Sequence, residues 1–200
     1  ITAIGEVPSG QAVSRSGAKP GDVLYVTGCL GDGQVALHQL DFEAAESTAH
    51  KPALAEAGHQ SVRKDLTPED HDYLYRRFFR PEPRLAFADL ARNLMSSAID
   101  VSDGLHADAG HLARASAVEL CINLDQLPFS RSVLGLTSEA ERVNAALYGG
   151  DDYELCFTAE TACRDRIGEI AASAGLRVTE IGKVRHGNGV SLFDRGVAAT

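Results

Sequence analysis

The chain has 200 residues and is acidic, with 19 lysine and arginine residues against 28 aspartate and glutamate residues and a formal net charge of −9. No basic stripe is present that could follow a phosphate backbone, so the charge argues against nucleic acid as a partner. No apolar run reaches the roughly 18 residues of a membrane-spanning helix, and no basic-then-apolar leader is present, so we expect a cytoplasmic protein without a membrane partner.

An apolar, strand-like segment opens the chain at residues 1–7, and the polar turn 8–11 follows it. This strand has no partner before it, and the only methionine is Met95, which indicates that the natural start lies further upstream. We therefore expect residues 1–10 to be the last strand of a truncated N-terminal domain. Residues 11–200 are expected to form a C-terminal α/β domain.

The rest of the chain alternates between short apolar runs, typical of buried strands, and stretches with apolar residues three or four apart, typical of helices. The predicted strands are 23–27, 98–101, 118–124, 153–158, 177–184 and 190–193. The predicted helices are 35–40, 67–79, 85–94, 105–116, 138–147 and 161–174, and residues 46–66 are predicted to be a surface loop. This order predicts an α/β class in which helices cover a mixed, α+β-like sheet.

The four cysteines are widely spaced and include no C-x-x-C pair. Such spacing favours free thiols over a disulfide or a zinc site. At least two of the four lie in apolar, strand-like runs, so we expect them to be buried.

The first acidic motif runs from Ile99 to Leu105 and joins a predicted strand to a predicted helix. Asp100 points away from the apolar face of the strand, and Asp103 follows at the turn. Two carboxylates this close repel each other unless a cation lies between them, and Mg²⁺ takes oxygen ligands from one or two carboxylates together with phosphates. The alternative is that Ser102 or Asp103 only caps the helix and that Asp100 is solvated.

The second acidic motif is the sequence GGDDYEL at residues 149–155, between a predicted helix and a predicted strand. Paired glycines let the backbone approach a ligand closely, and the carboxylates could bind a cationic ring or a metal. An ordinary acidic turn, followed by an exposed Glu154 on the strand, explains the same pattern. The motif by itself leaves both interpretations open.

Arg15 and Lys19 are the main cations of a polar loop before the first complete strand. A guanidinium fork suits a phosphate group, which makes Arg15 a candidate for nucleotide binding. Most arginines in loops are solvated, and that simpler interpretation also remains open here.

Five segments, in their order and spacing, resemble the thiamine-monophosphate kinases, which belong to the AIR synthase-like superfamily. The segments are 15–22, 26–28, 80–84, 99–105 and 149–155. The resemblance implies an AIR synthase-like C-terminal domain, with ATP bound between it and an N-terminal domain through which the intact protein would form a homodimer. It also implies Mg²⁺-assisted direct transfer of the γ-phosphoryl group of ATP to thiamine phosphate, giving thiamine diphosphate.

The resemblance implies a role for each matching residue. Asp100 and Asp103 would bind magnesium, and Ser102 would contact ATP. Arg15 would meet the phosphates of the nucleotide, and Asp151 would contact the thiamine substrate at a position where the family more often has glutamate. No side chain is implied to act as a catalytic acid or base, because the reaction depends on positioning and metal assistance.

Two other functions are compatible with the same residues. One is another ATP- and magnesium-dependent enzyme of the superfamily, such as an aminoimidazole ribonucleotide synthetase or a selenophosphate synthetase. The other is a non-catalytic module that binds a nucleotide or a partner chain. The family's N-terminal domain carries further magnesium-binding aspartates that are absent here, so we expect the 200-residue chain alone to have little or no kinase activity.

Overall fold

The computed structural model describes the backbone of residues 6–47 and 66–199, and the side chains of these ranges apart from residues 40–47. The strands in this part of the chain are β1 Val23–Thr27, β2 Met95–Val101, β3 Glu119–Asn123, β4 Glu154–Ala159, β5 Val178–Arg185, β6 Gly189–Asp194 and β7 Val197–Ala198. The α-helices are α1 Asp32–Ser47, α2 Pro68–Phe79, α3 Leu85–Ala91, α4 Leu105–Ser116, α5 Arg131–Leu136, α6 Glu139–Tyr148 and α7 Arg164–Ser173.

All of these strands belong to one mixed sheet with the order β2-β4-β1-β5-β3-β6-β7. The pair of β3 and β6 is parallel, and the other neighbouring pairs are antiparallel. β2 and β4 lie side by side, with Asp100 opposite Leu155 and Val101 opposite Glu154. The sheet therefore brings the two acidic motifs to the same place.

Helices cover both faces of the sheet. All five residues of β1 are buried, so this central strand has no solvent-facing side. Leu24 and Val26 pack into one apolar cluster with α4 and α6, whereas Val23 and Tyr25 pack into a second cluster with α3 and α7. The predicted α/β class is confirmed, and it arises because a sheet with two apolar faces must bury both of them.

The limits of three helices agree with the prediction to within one residue, and two of these helices begin at a capping side chain. α4 has the predicted limits, and α2 follows Thr67, whose side chain accepts a hydrogen bond from the amide of Asp70. α6 follows Ser138, which forms a reciprocal capping box with Glu141. In α2 and α6 a short polar side chain thus satisfies an amide that the helix leaves unpaired.

Several boundaries differ from the predictions. α1 begins at Asp32 rather than residue 35, because glycines around its first turn hide the helical pattern. The short helix α5, which follows the cap Ser130, was not predicted, since six residues are too few for a clear period. Residues 1–5 of the predicted first strand and residues 48–65 of the predicted loop lie outside the described residues, and Glu6 and Val7 are not in a strand.

The four cysteines are free thiols, as their spacing predicts. Cys121 and Cys156 are buried, whereas Cys29 and Cys163 are partly exposed. Among the helices that the structure describes, none combines the length and the apolar character needed to cross a membrane.

Candidate functional site

The two acidic motifs meet where β2 ends and β4 begins. The amide of Asp151 donates a hydrogen bond of 3.0 Å to the carbonyl oxygen of Ser102, and the amide of Tyr153 donates one of 2.8 Å to the carbonyl oxygen of Val101. The loop before β4 is therefore tied to the end of β2 through the main chain. We call the carboxylates of Asp100, Asp103 and Asp151 the acidic corner.

Glycine is required at two positions for this close approach. A Cβ atom at Gly150 would lie 2.6 Å from the carbonyl oxygen of Ser102. A Cβ atom at Gly104 would lie 2.7 Å from the carbonyl oxygen of Leu147, and Gly104 also has a positive φ of 99°. Any larger residue would push these segments apart, so the two glycines allow a close contact within the protein, whereas the sequence pattern predicted the close approach of a ligand.

Tyr153 contacts the acidic corner through Asp151. Its hydroxyl donates a hydrogen bond of 2.8 Å to Oδ1 of Asp151. This hydrogen bond, partial burial and the negative charges of Asp151, Asp100 and Asp103 all raise the pKa of Tyr153. The phenol therefore stays protonated, and it remains a hydrogen-bond donor to Asp151.

Capping does not explain the first acidic motif. The N-cap position of α4 is Gly104, which has no side chain to offer. The buried carboxylate of Asp108 instead accepts hydrogen bonds from the amides of Ser102 and Asp103, at 2.9 and 3.0 Å. The alternative that Ser102 or Asp103 serves as the cap is therefore wrong, and the side chains of Asp100 and Asp103 remain exposed.

The exposed pair of Asp100 and Asp103 fits part of a magnesium site. Mg²⁺ retains several waters and is commonly held by one or two carboxylates together with phosphate oxygens. Among the side chains that the structure describes, in residues 6–39 and 66–199, no group of three or more histidine, cysteine, aspartate or glutamate residues could hold a metal ion by itself. This part of the chain thus offers two oxygen ligands, and phosphates or other residues would have to complete the coordination.

A buried ionic network lies directly behind the acidic corner, and sequence reasoning missed it. Glu154 is only 1% exposed, which contradicts the reading of an exposed acid on the strand. Its carboxylate accepts hydrogen bonds from Nε and Nη2 of Arg84 at 2.8 and 2.6 Å, from Nη2 of Arg77 at 3.0 Å and from the hydroxyl of Thr27 at 2.7 Å. Four donors offset the cost of removing this charge from water.

Asp152 ties the second motif to the first turn of α1. Its fully buried carboxylate accepts hydrogen bonds from the amides of Gly31 and Gly33, at 2.7 and 3.0 Å. Burial raises the pKa of Asp152 to about 7, although these two hydrogen bonds and the charge of Arg77 act in the opposite direction. A cationic ring cannot reach this carboxylate, so among the acids of the turn only Asp151 faces solvent.

Asp32 extends the network to α2 and α5. Its buried carboxylate accepts hydrogen bonds from the hydroxyls of Ser130 and Tyr73, at 2.5 and 2.6 Å, and from Nε of Arg77 at 3.2 Å. Arg77 therefore touches both Asp32 and Glu154. The sequence signal for this network was the arginine-rich stretch around residues 76–84. Aromatic residues lie between its arginines, so the stretch resembles an ordinary helix of the core.

Arg15 does not belong to the acidic corner. The carbonyl of the preceding Ser14 accepts a hydrogen bond of 3.0 Å from the amide of Ala98, two residues before Asp100. Two strand residues span about 7 Å. The carbonyl of Arg15 accepts a hydrogen bond from the hydroxyl of Ser116, at the far end of α4, and its side chain is exposed. The structure thus gathers the other four predicted site residues, and Arg15 stays at the edge of β2.

The fold and the acidic corner define a class of protein that comparison with known families makes explicit. The family model described as "AIR synthase related protein, C-terminal domain" matches residues 19–195. The chain belongs to this family.

Its similar proteins include thiamine-monophosphate kinases. That of Escherichia coli strain K12 is 38% identical over 180 residues, which cover 90% of this chain and 50% of the relative. The crystal structure of the thiamine-monophosphate kinase from Stenotrophomonas maltophilia K279a is 37% identical, with a TM-score of 0.79 over 96% of this chain and 56% of that one. A solved structure of AaThiL complexed with AMPPCP and TMP is 31% identical, with a TM-score of 0.68 over 94% and 52%. The chain thus spans about half the length of the curated relatives it matches.

Proposed function

We propose that this chain is the ATP- and acceptor-binding C-terminal part of a thiamine-monophosphate kinase. In this proposal the γ-phosphoryl group of ATP is transferred directly to thiamine phosphate, and the products are thiamine diphosphate and ADP. The observation that carries the proposal is the contact between the two acidic motifs, in which the amide of Asp151 donates a 3.0 Å hydrogen bond to the carbonyl of Ser102, the residue before Asp103.

Two kinds of similarity support the choice of substrates. The curated relatives at 35–38% identity are thiamine-monophosphate kinases. The similar AaThiL structure contains AMPPCP, an ATP analogue, together with TMP. The acidic corner suits both ligands, because its carboxylates could hold magnesium, which would offset the charge of the phosphates, and because thiamine itself carries a positive charge.

Each residue of the site has a distinct task in this proposal. Asp100 and Asp103 would hold Mg²⁺, whose chemistry is to neutralise the charge that develops on the phosphates during transfer. Ser102 would contact ATP, and the exposed Arg15 would meet the nucleotide phosphates from the edge of β2. Asp151, with Tyr153 donating to its Oδ1, would contact the thiamine part of the acceptor.

No side-chain base is needed for the chemical step. The attacking oxygen belongs to a phosphate that is already ionised, so catalysis consists of alignment and charge stabilisation. The proposal includes a second, N-terminal half like the one that the relatives possess, which would supply further metal ligands and the homodimer contact. The 200-residue chain alone is accordingly expected to show little or no turnover.

The test is ADP release from ATP and Mg²⁺, measured with and without thiamine phosphate on the full-length protein that contains this chain. Asp103→Asn removes a metal ligand and is expected to abolish the stimulation by thiamine phosphate. Asp125→Asn makes the same chemical change at an exposed position away from the corner and serves as the control.

Three results would contradict parts of the proposal. Stimulation by aminoimidazole ribonucleotide precursors or selenide, but not by thiamine phosphate, would assign the acceptor to another member of the superfamily. Binding of ATP without any turnover would favour a non-catalytic module. Full activity of Asp103→Asn would remove Asp103 from the metal site.

A further inference from the structure

The turn that carries Asp151 is held in an unusual backbone conformation. Asp151 has a φ of 67° and Tyr153 a φ of 50°, in the left-handed region that residues with a Cβ atom rarely occupy. Such a conformation persists only when surrounding contacts determine it. The hydrogen bonds from the amides of Asp151 and Tyr153 to the carbonyls of Ser102 and Val101 hold one side of this turn.

Arg77 holds the other side from a distant part of the chain. Its Nη2 donates a hydrogen bond of 2.9 Å to the carbonyl oxygen of Asp152, between the two left-handed residues. The same guanidinium donates to Glu154 at the start of β4 and to Asp32 at the start of α1. One largely buried side chain, 12% exposed, therefore joins α1, α2, the turn and β4.

From these contacts we infer that Arg77 is a positioning residue for the acceptor side of the site. By holding the carbonyl group of Asp152, it keeps Asp151 and Tyr153 in the conformation that sets them beside Asp100 and Asp103. The inference rests on the proposed function, because that proposal assigns acceptor binding to Asp151. It predicts that the loss of this contact impairs use of the acceptor more than use of ATP.

Arg84 separates this role from general stabilisation. Its guanidinium donates two hydrogen bonds to Glu154 but none to the main chain of the turn, as far as the described residues show. Arg84→Lys therefore disturbs the same buried carboxylate and leaves the contact between Arg77 and Asp152 in place. Arg77→Lys keeps the positive charge, but a single ammonium group cannot reach three acceptors in the geometry of the guanidinium fork.

The first measurement is amide hydrogen exchange at Asp151 and Tyr153. Their amides donate hydrogen bonds to the carbonyls of Ser102 and Val101. We expect Arg77→Lys to accelerate exchange at both amides at least tenfold relative to Arg84→Lys, while the amide of Val26 in the central strand β1 reports global opening in each variant. Equal protection of the turn in the two variants would overturn the inference. Arg77→Gln, which is neutral and shorter, tests the same contact if the lysine variant does not fold.

The second measurement is steady-state kinetics of the full-length protein. We expect Arg77→Lys to raise the KM for thiamine phosphate about tenfold and to leave the KM for ATP within twofold, because the Arg77 guanidinium binds Asp32, Asp152 and Glu154 rather than the proposed metal ligands. Arg84→Lys and the exposed neighbour variant Arg76→Lys are expected to leave both constants near those of the wild type. Parallel changes for both substrates, or equal effects of Arg77→Lys and Arg84→Lys, would overturn the inference.

The two measurements also distinguish the failure of this inference from the failure of the proposed function. A wild-type protein that releases no ADP in response to thiamine phosphate contradicts the proposed function. Hydrogen exchange then still decides whether Arg77 holds the turn, since that measurement needs no substrate.

Discussion

The main-chain amide of Asp151 donates a 3.0 Å hydrogen bond to the main-chain carbonyl of Ser102. This one contact joins two acidic segments that are far apart in the sequence. It depends on the antiparallel pairing of β2 with β4, which sets Val101 opposite Glu154. The proposed metal site and the proposed acceptor site therefore meet at this contact.

Replacing Gly150 by alanine tests this contact. Its new Cβ atom would lie 2.6 Å from the carbonyl oxygen of Ser102, so one of the two loops must move. We expect Gly150→Ala to lower the free energy of unfolding by about 1–3 kcal/mol, as overpacked sites do. Chemical denaturation provides the measurement.

Gly168 provides the matched control for that substitution. It lies in α7, and a Cβ atom there would meet nothing within 4 Å. Gly168→Ala should leave stability unchanged or raise it by up to about 1 kcal/mol, because alanine favours a helix. Equal stability of Gly150→Ala and the wild type would show that the two loops can move apart without a measurable cost in free energy.

Asp152 should make stability depend on pH. Its pKa is raised to about 7 in the folded protein, chiefly by burial, against about 4 in an unfolded chain. Between these values the folded state binds the proton and the unfolded state releases it, so the stability from this group is complete below pH 4. This contribution to the free energy of unfolding is lost progressively as the pH rises to about 7. The total loss between pH 4 and pH 7 is roughly 4 kcal/mol at most.

Asp152→Asn isolates this effect from other titrating groups. We expect the free energy of unfolding of the wild type, relative to the variant, to fall between pH 4 and pH 7 and to level off above. Equilibrium denaturation of both proteins across this range provides the measurement. A constant difference between them would mean that Asp152 is ionised in the folded protein throughout.

The ion pair between Arg84 and Glu154 should contribute far more to stability than an exposed pair of the same type. Arg84→Ala leaves the buried carboxylate of Glu154 with fewer donors, and breaking one partner of a buried pair costs about 3–5 kcal/mol. Arg164 forms a similar two-bond contact with Glu180 at the surface. Arg164→Ala should lower the free energy of unfolding much less, because water replaces the lost partner of an exposed carboxylate.

Thermal unfolding of the two arginine variants, side by side, checks this expectation. The exposed pair matches the buried one in residue types and in its paired hydrogen bonds. A similar shift in Tm for both variants would indicate that burial adds nothing to the contribution of Arg84.

Tyr153→Phe should weaken acceptor binding in the proposed reaction. The change removes the hydroxyl that donates 2.8 Å to Oδ1 of Asp151 and leaves the ring in place. A hydrogen bond to a charged group contributes about 1.5 kcal/mol or more, so we expect the KM for thiamine phosphate to rise roughly tenfold. Tyr75→Phe on the exposed face of α2 is the control, and an unchanged KM in Tyr153→Phe would exclude this role.

Much of the local structure could be predicted from the sequence. The limits of α4 were predicted because its apolar positions recur at helical spacing directly after Gly104. α2 and α6 were predicted because Thr67 and Ser138 are effective caps. The two acidic motifs were also visible, since aspartates beside glycine turns stand out against apolar strands.

The buried network could not be predicted in the same way. Alternation along β4 assigns Glu154 to the face opposite Leu155, but it does not say whether another part of the chain covers that face. Arg77 and Arg84 approach from α2 and from the loop after it, and only their arrival makes burial of a carboxylate tolerable. The exposed-acid interpretation failed for this reason.

The sequence by itself determined the class of the fold, most helix boundaries and the residue types of the site, because these depend on spacing and on neighbours along the chain. Only the tertiary structure decided the strand order, the meeting of Ser102 with Asp151 and the burial of Glu154. These features arise from contacts between distant segments. Such contacts form, and stabilise the protein, only when the sheet and its covering helices have assembled.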